Sequence, residues 1–203
     1  MPMKLDDVDD AVDAPDIDQV VLVHNISWKQ YDAFLAILGD NHPGIRTHYL
    51  EGTLEIMSPS SKHENVKTML ARLVEVYALE RNVDLNGFGS TTFRRRAKER
   101  GLEPDECYFI GREKKFPDIA FEVILSRGVL DRLAIYEGLG VPEVWIWRRG
   151  AFEIYQLMRT GYERRARSGQ LPELDFTRLA ALVERKDQTQ AVREFRDGLR
   201  ASS

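Results

Sequence analysis

The sequence contains a single cysteine, Cys107, and no apolar stretch long enough to cross a membrane. One cysteine excludes an internal disulfide bond, and its place in the apolar stretch CYFI predicts a buried side chain. No zinc-finger or helix-turn-helix pattern is present, so no element for reading DNA bases can be identified. The acidic N-terminal residues are the opposite of a basic signal peptide. These absences predict a soluble cytoplasmic protein with no membrane partner and no organic cofactor.

Positive charge is absent from residues 6–18, which hold seven aspartates. Such a run of like charges with few large apolar groups predicts a disordered acidic arm over residues 1–19. The rest of the chain is long and apolar enough for one domain with a true core, since 43% of the 203 residues are hydrophobic. We assign residues 20–165 to that domain and residues 166–203 to a C-terminal helical extension packed on it.

Hydrophobic periodicity and turn residues predict an alternation of helices and strands. Helices are expected at 27–40, 61–81, 128–139 and within 173–200. Strands are expected at 47–50, 53–57, 88–94, 105–110 and 118–125, and on both sides of the Arg149-Gly150 turn. Ser27 is a candidate N-cap, and Ser61 with Glu64 has the spacing of a capping box. Strands and helices in this order predict an α/β fold, or α+β, with a mixed sheet flanked by helices.

Glu122 is a lone carboxylate in the apolar run IAFEVIL. Apolar residues occupy both alternating sets of positions in this run, which predicts a strand covered on both faces. If 105–110 and 117–125 form a symmetric hairpin, Asp105 lies directly opposite Glu122, with the two side chains on one face. A slip of one residue would move Glu122 to the other face, so this geometry depends on the turn.

Two buried carboxylates side by side require compensation. A hard divalent cation such as Mg²⁺ binds oxygen ligands of this kind and can promote phosphodiester hydrolysis. The alternative is an ion pair between Glu122 and an internal cation, either Arg132 or one of the arginines at 94–96. Asp118 shares the face of Glu122 and is a rival metal ligand, although its place after a proline favours a role in the turn.

Four blocks of sequence resemble the Uma-type restriction endonucleases of the PD-(D/E)XK nuclease superfamily. They are GTLEIMSPSSKHE (52–64), GLEPDECYFI (101–110), PDIAFEVILS (117–126) and DRLAIYEGLGVPEVWIW (131–147). Together they span about half of the chain in the order of the family. The resemblance implies a restriction-endonuclease-like core, a nuclease site dependent on Mg²⁺ or Mn²⁺, DNA as substrate and a homodimer.

Residue by residue, the resemblance makes Asp105 and Glu122 metal ligands and the carbonyl of Val123 a possible third one. His63 and Glu64 match the pair that opens the first core helix of the family. The helical phase places His63 with the apolar face, so it is either a site residue or a packed core histidine. Glu64 lies to the side of that face, and a cap is the favoured role for it over a metal ligand.

One departure from the superfamily pattern concerns the catalytic lysine. Ile124 stands two residues after Glu122, where the superfamily has lysine. Arg132, just after Asp131, occupies the place where many Uma-type relatives carry a lysine at the start of a helix. Arginine can hold a phosphate, but it stays protonated and is a poor proton acceptor. The alternative role of Arg132 is a salt bridge to Asp131 or Glu122.

A basic stretch directly precedes Asp105 and is the candidate nucleic-acid-binding surface; an ordinary solvated face is the alternative. It comprises Arg94, Arg95, Arg96, Lys98 and Arg100. The sequence therefore leaves three hypotheses. The first is a metal-dependent DNA endonuclease, the second is a nuclease-fold binding or regulatory protein that has lost catalysis, and the third is a structural domain with Glu122 in a buried ion pair.

Overall fold

Two β-sheets form the framework of the protein, with helices on their faces. The structure, a computed structural model, describes residues 16–39, 44–125 and 130–202. The helices within these ranges are α1 (Trp28–Leu38), α2 (Ser61–Glu80), α3 (Arg132–Leu139), α4 (Phe176–Val183) and α5 (Gln188–Ala201). The strands are β1 (Gln19–Val23), β2 (Arg46–Leu50), β3 (Thr53–Ser58), β4 (Leu85–Gly87), β5 (Phe93–Arg95), β6 (Arg100–Leu102), β7 (Glu106–Ile110), β8 (Ile119–Val123), β9 (Glu143–Arg148), β10 (Ala151–Met158) and β11 (Gly161–Arg165).

The strand order explains why the two sheets differ in character. The smaller sheet has the order β1-β3-β2-β6-β5, and its pairs are antiparallel. The larger sheet has the order β11-β10-β9-β8-β7-β4, and its β8–β9 pair is parallel. The parallel connection runs through α3, as a crossover between parallel strands requires. The predicted α/β class with a mixed sheet is confirmed.

Local signals in the first part of the chain act as predicted. Ser27 caps α1, because its side chain accepts from the Gln30 N–H while the Gln30 side chain accepts from the Ser27 N–H. Glu51 and Gly52 form the two-residue turn between β2 and β3 with φ values of 43° and 89°. A turn of this kind needs positive φ at both central positions, which glycine tolerates at little cost. The predicted hairpin is confirmed.

The start of α2 differs from the prediction by one residue. The N-cap is Ser60, whose hydroxyl accepts from the His63 N–H, so Ser61 and Glu64 do not form the expected capping box. The Glu64 carboxylate instead lies 2.5 Å from Lys67 Nζ and 3.4 Å from Arg46 Nη2. Serine caps equally well at either position, so the spacing alone could not distinguish them.

The larger sheet is covered on both faces by apolar side chains. One core cluster joins it to α2, α4 and α5 and contains Leu73, Phe121 and Trp145; the other lies under α3 and contains Ala120 and Ile135. All five residues of β8 are buried, as its apolar pattern predicts. Burying each large side chain of this kind contributes roughly 1.5–3 kcal/mol, so the core holds β8 firmly in place.

The C-terminal region folds back on the same core. Leu179 of α4 and Phe195 of α5 pack with the buried face of α2. Glu143 at the start of β9 anchors the segment that leads to α4: its carboxylate accepts from Trp145 Nε1 at 2.5 Å, from the Gly169 N–H at 2.7 Å and from the Ser168 hydroxyl. The predicted helical region is therefore two helices tied to the domain.

Several predicted boundaries are wrong in detail. Of the strand expected at 88–94, only residues 93 and 94 lie in a strand, β5, and β1, β4, β6 and β11 were not predicted. The helix expected at 128–139 is α3, which begins at Arg132; residues 126–129 lie outside the described residues. Of the predicted arm, residues 1–15 also lie outside them, whereas Asp16 and Asp18 contact α2 and Gln19 begins β1.

Candidate active site

The register of the β7–β8 hairpin brings Asp105 and Glu122 together. Glu106 pairs with Phe121 and Tyr108 with Ile119 in the antiparallel ladder. Continuing this register by one residue places Asp105, which immediately precedes β7, opposite Glu122. Both side chains are 2% exposed. The structure thus has the hairpin register that makes the two carboxylates neighbours on one face.

Asp105 is held by a histidine and a backbone amide. Its Oδ1 lies 2.9 Å from His63 Nε2, and its Oδ2 accepts from the Val123 N–H at 2.7 Å. The other ring nitrogen of His63 lies 3.2 Å from Oδ2 of Asp18. Asp18 Oδ1 in turn accepts from the N–H and hydroxyl of Ser60, both at 2.9 Å. His63 is therefore clamped between two carboxylates at the start of α2.

Glu122 is held by two residues of α3. Arg132 Nε donates to its Oε2 at 3.2 Å, and the Tyr136 hydroxyl donates to its Oε1. Arg132 is 3% exposed, so its guanidinium is buried together with the carboxylate. Its Nη2 donates to Glu55 Oε1 at 2.5 Å. The predicted salt bridge between Arg132 and Glu122 is thus present, and a second carboxylate shares the guanidinium.

Glu55 is a site residue that the sequence interpretation missed. It lies on β3 of the smaller sheet, is fully buried, and accepts from the Leu130 N–H at 2.7 Å in addition to Arg132. His48 on β2 lies beside it, with Nδ1 3.1 Å from Glu55 Oε1. The site is thus built between the two sheets and α3. The signal that could have found Glu55 is the one that identified Glu122, a single acid within an apolar strand, here TLEIMS.

The acids of the site differ in how well they are compensated. Burial alone would raise the pKa of Asp105, but His63 and the Val123 N–H outweigh it and hold that pKa below the ordinary value. Burial together with the charge of Asp105 raises the pKa of Glu122 to about 7, against the opposing effects of Arg132 and Tyr136. Glu122 is therefore the acid whose charge the protein stabilises least.

The histidines of the site have opposite protonation states. Burial alone would lower the pKa of His63, but Asp105 and Asp18 raise it to about 10, so His63 is a cation at neutral pH. Burial and the charge of Arg132 lower the pKa of His48 to about 4, so His48 is neutral. Burial would raise the pKa of Glu55, but His48 and Arg132 lower it to about 2.

The carboxylates suit a hard divalent cation chemically, and two protein cations already compete for them. Glu55, Asp105 and Glu122 are three carboxylates, and Asp18 on the other side of His63 is a fourth, against one positive charge from Arg132 and one from His63. Burial raises the pKa of Glu122, and the nearby charge of Asp105 adds to the effect. Carboxylate oxygens are the ligands that Mg²⁺ prefers, and each can bind a metal while accepting one hydrogen bond. Within the described residues no group of three or more acids, histidines or cysteines is spaced to hold a metal as arranged.

Other residues considered as ligands lie elsewhere or act differently. Asp118 accepts from the Ile110 N–H at 2.8 Å and from Lys114 Nζ at 2.6 Å, which is the turn role favoured for it. Glu64 is engaged with Lys67 and Arg46 at the surface of α2. The contact of Val123 with the acidic group runs through its N–H, and Ile124 lies in the apolar cluster beneath α3.

The basic stretch divides into anchored and exposed side chains. Arg94 contacts Asp32 at 2.6 Å, Arg95 donates to the Gly138 carbonyl at 3.1 Å, and Arg100 donates to the Ala134 carbonyl at 3.2 Å. Arg95 and Arg100 therefore tie β5 and β6 to α3, whereas Arg94 is itself exposed and its pair with Asp32 lies at the surface. Arg96 and Lys98 are exposed on the short 3₁₀ turn between those strands.

The clamp on His63 predicts a pH dependence of stability. A histidine whose pKa rises from 6.5 to about 10 on folding contributes stability that is complete below pH 6.5 and is lost as pH rises through 10. Between pH 7 and 9 we expect the free energy of unfolding to fall by roughly 2–3 kcal/mol. The range ends at pH 9 because burial raises the pKa of the Cys107 thiol to about 12. Above pH 9 the thiol of the unfolded chain ionises, and this would add a second loss of stability.

Urea unfolding at intervals of half a pH unit measures this slope. His63→Gln should flatten it, because the titrating group is gone, and Asp18→Asn should reduce it, because one of the two carboxylates is neutral. His24→Gln, which removes an exposed histidine bonded to Thr53, is the matched control and should retain the slope. A wild-type curve that is flat from pH 7 to 9, or a slope that survives His63→Gln, would contradict the assignment of His63 as a buried cation.

Comparison with known proteins assigns the chain to a family. Within the described residues no helix is long and apolar enough to span a membrane. None of the curated proteins compared with the chain matches it. A solved structure described as "a putative nuclease belonging to DUF820 from Anabaena variabilis ATCC 29413" covers 83% of this chain and 97% of its own, with 16% identity and a TM-score of 0.47. The profile of the Uma2 family, described as "Putative restriction endonuclease", matches residues 28–185. The chain therefore belongs to the Uma2 family of restriction-endonuclease-like proteins.

Proposed function

We propose that this protein is a metal-dependent DNA endonuclease whose active site is centred on Asp105 and Glu122. The observation that carries the proposal is the buried acidic group between the sheets, in which Glu55, Asp105, Glu122 and Asp18 share two protein cations and Glu122 is left under-compensated. A protein keeps such an arrangement at a cost in stability, and sites of this kind are most often functional. Membership of the Uma2 family supports nucleic acid as the substrate.

The residues of the site have distinct roles in this proposal. Asp105, Glu122 and the carbonyl of Val123 would hold Mg²⁺ or Mn²⁺, with Glu55 as a further carboxylate. The bound ion would supply a Lewis acid for the phosphate and lower the pKa of its water. His63 fixes the orientation of Asp105 through Nε2. Arg132 can stabilise negative charge on a phosphate, but it cannot accept a proton, because a guanidinium stays protonated.

The exposed basic residues Arg94, Arg96 and Lys98 are suited to contact the DNA backbone, while Arg95 and Arg100 act through packing. Backbone contacts of this kind weaken with salt and carry no sequence preference. The proposed assembly is a homodimer, which sedimentation velocity would test directly.

Cleavage of supercoiled plasmid tests the proposal. The wild type should nick DNA with Mg²⁺ or Mn²⁺ and not with EDTA, and Asp105→Asn and Glu122→Gln should each reduce the rate at least about 100-fold, the effect of losing a key electrostatic group. Glu64→Gln, which removes a nearby carboxylate at the surface of α2, is the matched control and should retain activity. Nicking that survives both site substitutions would remove this site assignment.

A second candidate function is favoured by Arg132. This residue binds Glu122 and Glu55 with its charge buried, so it is a structural cation at the place where many Uma-type relatives carry a lysine. The protein would then be a nuclease-fold DNA-binding or regulatory protein that does not cleave. Arg132→Lys separates the two functions. If the wild type does not nick DNA and Arg132→Lys does, the protein is a nuclease fold whose catalysis was lost through arginine at this one position.

A further inference from the structure

A cavity next to the acidic group is not used by the proposed chemistry. It has a volume of about 250 Å³ and lies at the carboxyl ends of the parallel strands β8 and β9, beneath the first turn of α3. Arg132 and Arg148 both line it, together with apolar side chains of β8, β9 and α3. In sheets with parallel strands and flanking helices, ligands commonly bind outside the carboxyl ends of the strands. The position and size of the cavity suit one small group.

Both arginines that line this cavity have a donor without a partner. Arg132 directs Nε to Glu122 and Nη2 to Glu55, but its buried Nη1 has no hydrogen-bond partner among the described residues. Within the same part of the chain, Nε of Arg148 is also buried and without a partner. Leaving a charged donor buried and unpaired costs more than an ordinary lost hydrogen bond. Both guanidinium groups that line the cavity are therefore short of an acceptor, which a bound anion would supply.

We propose that this cavity is a phosphate-binding subsite, in which Arg148 and Arg132 hold a phosphate of the DNA strand next to the bond to be cleaved. Guanidinium groups match phosphate oxygens in geometry and form charge-assisted hydrogen bonds with them. The first turn of α3, which lines the cavity from Leu130 to Leu133, adds the positive end of a helix. This inference rests on the proposed function, because it names which group of the nucleic acid the site receives.

Two carboxylates on the rim limit how strongly the subsite binds. Asp131 also lines the cavity, but its Oδ1 is used as the N-cap of α3 and accepts from the Ala134 N–H at 3.2 Å. Glu153 lines the opposite wall on β10 and accepts from the Tyr155 hydroxyl at 3.2 Å. With one carboxylate for each arginine, free phosphate should bind weakly, and a phosphate carried on a nucleotide should bind better.

The test uses the full-length protein, deoxythymidine 5′-monophosphate as the probe and thymidine as the comparison. Binding is followed by calorimetry and by the NMR cross peak of the Arg148 Nε–H group. We expect the nucleotide to shift that cross peak and thymidine to leave it unchanged. Arg148→Gln should weaken nucleotide binding about tenfold, the effect of losing one charge-assisted hydrogen bond. Glu153→Gln should strengthen it, because a facing negative charge is removed.

Arg149→Gln is the matched control, since it removes the same charge from the adjacent, exposed turn residue that does not line the cavity. Equal losses for Arg148→Gln and Arg149→Gln would show that only general electrostatics acts, and would overturn the subsite. Absence of nucleotide binding by the wild type would overturn it as well. The plasmid assay keeps the two proposals distinct, because a protein that binds the nucleotide through Arg148 without nicking DNA retains the subsite and loses only the hydrolytic function.

Discussion

Replacing Arg132 by methionine is expected to lower the free energy of unfolding by about 3–5 kcal/mol, the cost of leaving buried charges without a partner. Arg132 bonds Glu122 and Glu55 in a place where all three side chains are at most 3% exposed. Methionine fills most of the volume, so packing changes little and the loss reports the electrostatics. The two glutamates must then either remain charged in a medium of low polarity or take up protons.

Because the glutamates can take up protons, the loss of stability in Arg132→Met should also depend on pH. Without the guanidinium, the pKa of Glu122 in the folded state rises further above its unfolded value, and the pKa of Glu55, which Arg132 helps to hold at about 2, rises as well. A raised pKa of an acid contributes stability at low pH that is lost as pH rises, so the deficit should be larger at pH 8 than at pH 5. Urea unfolding at the two pH values measures it.

The matched control for Arg132→Met is Arg94→Met, which breaks the exposed pair with Asp32, where the side chains are 48% and 53% exposed. Exposed pairs contribute about 0–1 kcal/mol, so this variant should unfold close to the wild type. A loss below 1 kcal/mol for Arg132→Met at pH 8 would contradict the buried ion-pair network.

The sequence was most informative where local turns set the geometry. The symmetric turn between 105–110 and 117–125 determined the register, and the structure has the ladder that places Asp105 opposite Glu122. The same holds for the Glu51-Gly52 hairpin, since two residues with positive φ permit one close pairing of the flanking strands. In both hairpins the contacts are between residues close in sequence, and turn chemistry is enough to predict them.

Contacts between distant segments could not be predicted in this way. Glu55 reaches Arg132 from another sheet across 77 positions in sequence, and no periodicity links the two residues. Asp18 was assigned to a disordered run of aspartates, yet one carboxylate of that run caps the start of α2 and holds His63. Composition describes the average behaviour of such a run and does not identify Asp16 and Asp18, the members that contact α2.

Two of the unpredicted strands, β6 and β11, share a physical reason as well. β6 is three residues long and contains Gly101, and β11 carries three charged residues in five. Neither has the alternation of a half-buried strand, because their pairing is imposed by neighbours already held in the sheet. Gly101 is required in β6 for a separate reason: a Cβ there would lie 2.5 Å from the Tyr31 hydroxyl oxygen.

Replacing Glu143 by alanine is expected to lower the free energy of unfolding by about 3–4 kcal/mol, since its removal leaves buried donors unpaired at about 1–3 kcal/mol each. Its carboxylate, fully buried, accepts from Trp145 Nε1, the Gly169 N–H and the Ser168 hydroxyl. Releasing this segment would also loosen Leu171, which packs into the core beside α2.

Urea unfolding measures the global loss for Glu143→Ala, and amide exchange at Gly169 and Leu171 measures the local one. Glu163→Ala, which breaks an exposed pair with Arg165 on β11, is the control and should change stability by less than about 1 kcal/mol. If the free energy of unfolding stays close to that of the wild type while the amides of residues 168–171 exchange fast, Glu143 stabilises only residues 168–171. Loss of both would mean that the C-terminal helices fold as one unit with the sheet that carries the acidic site.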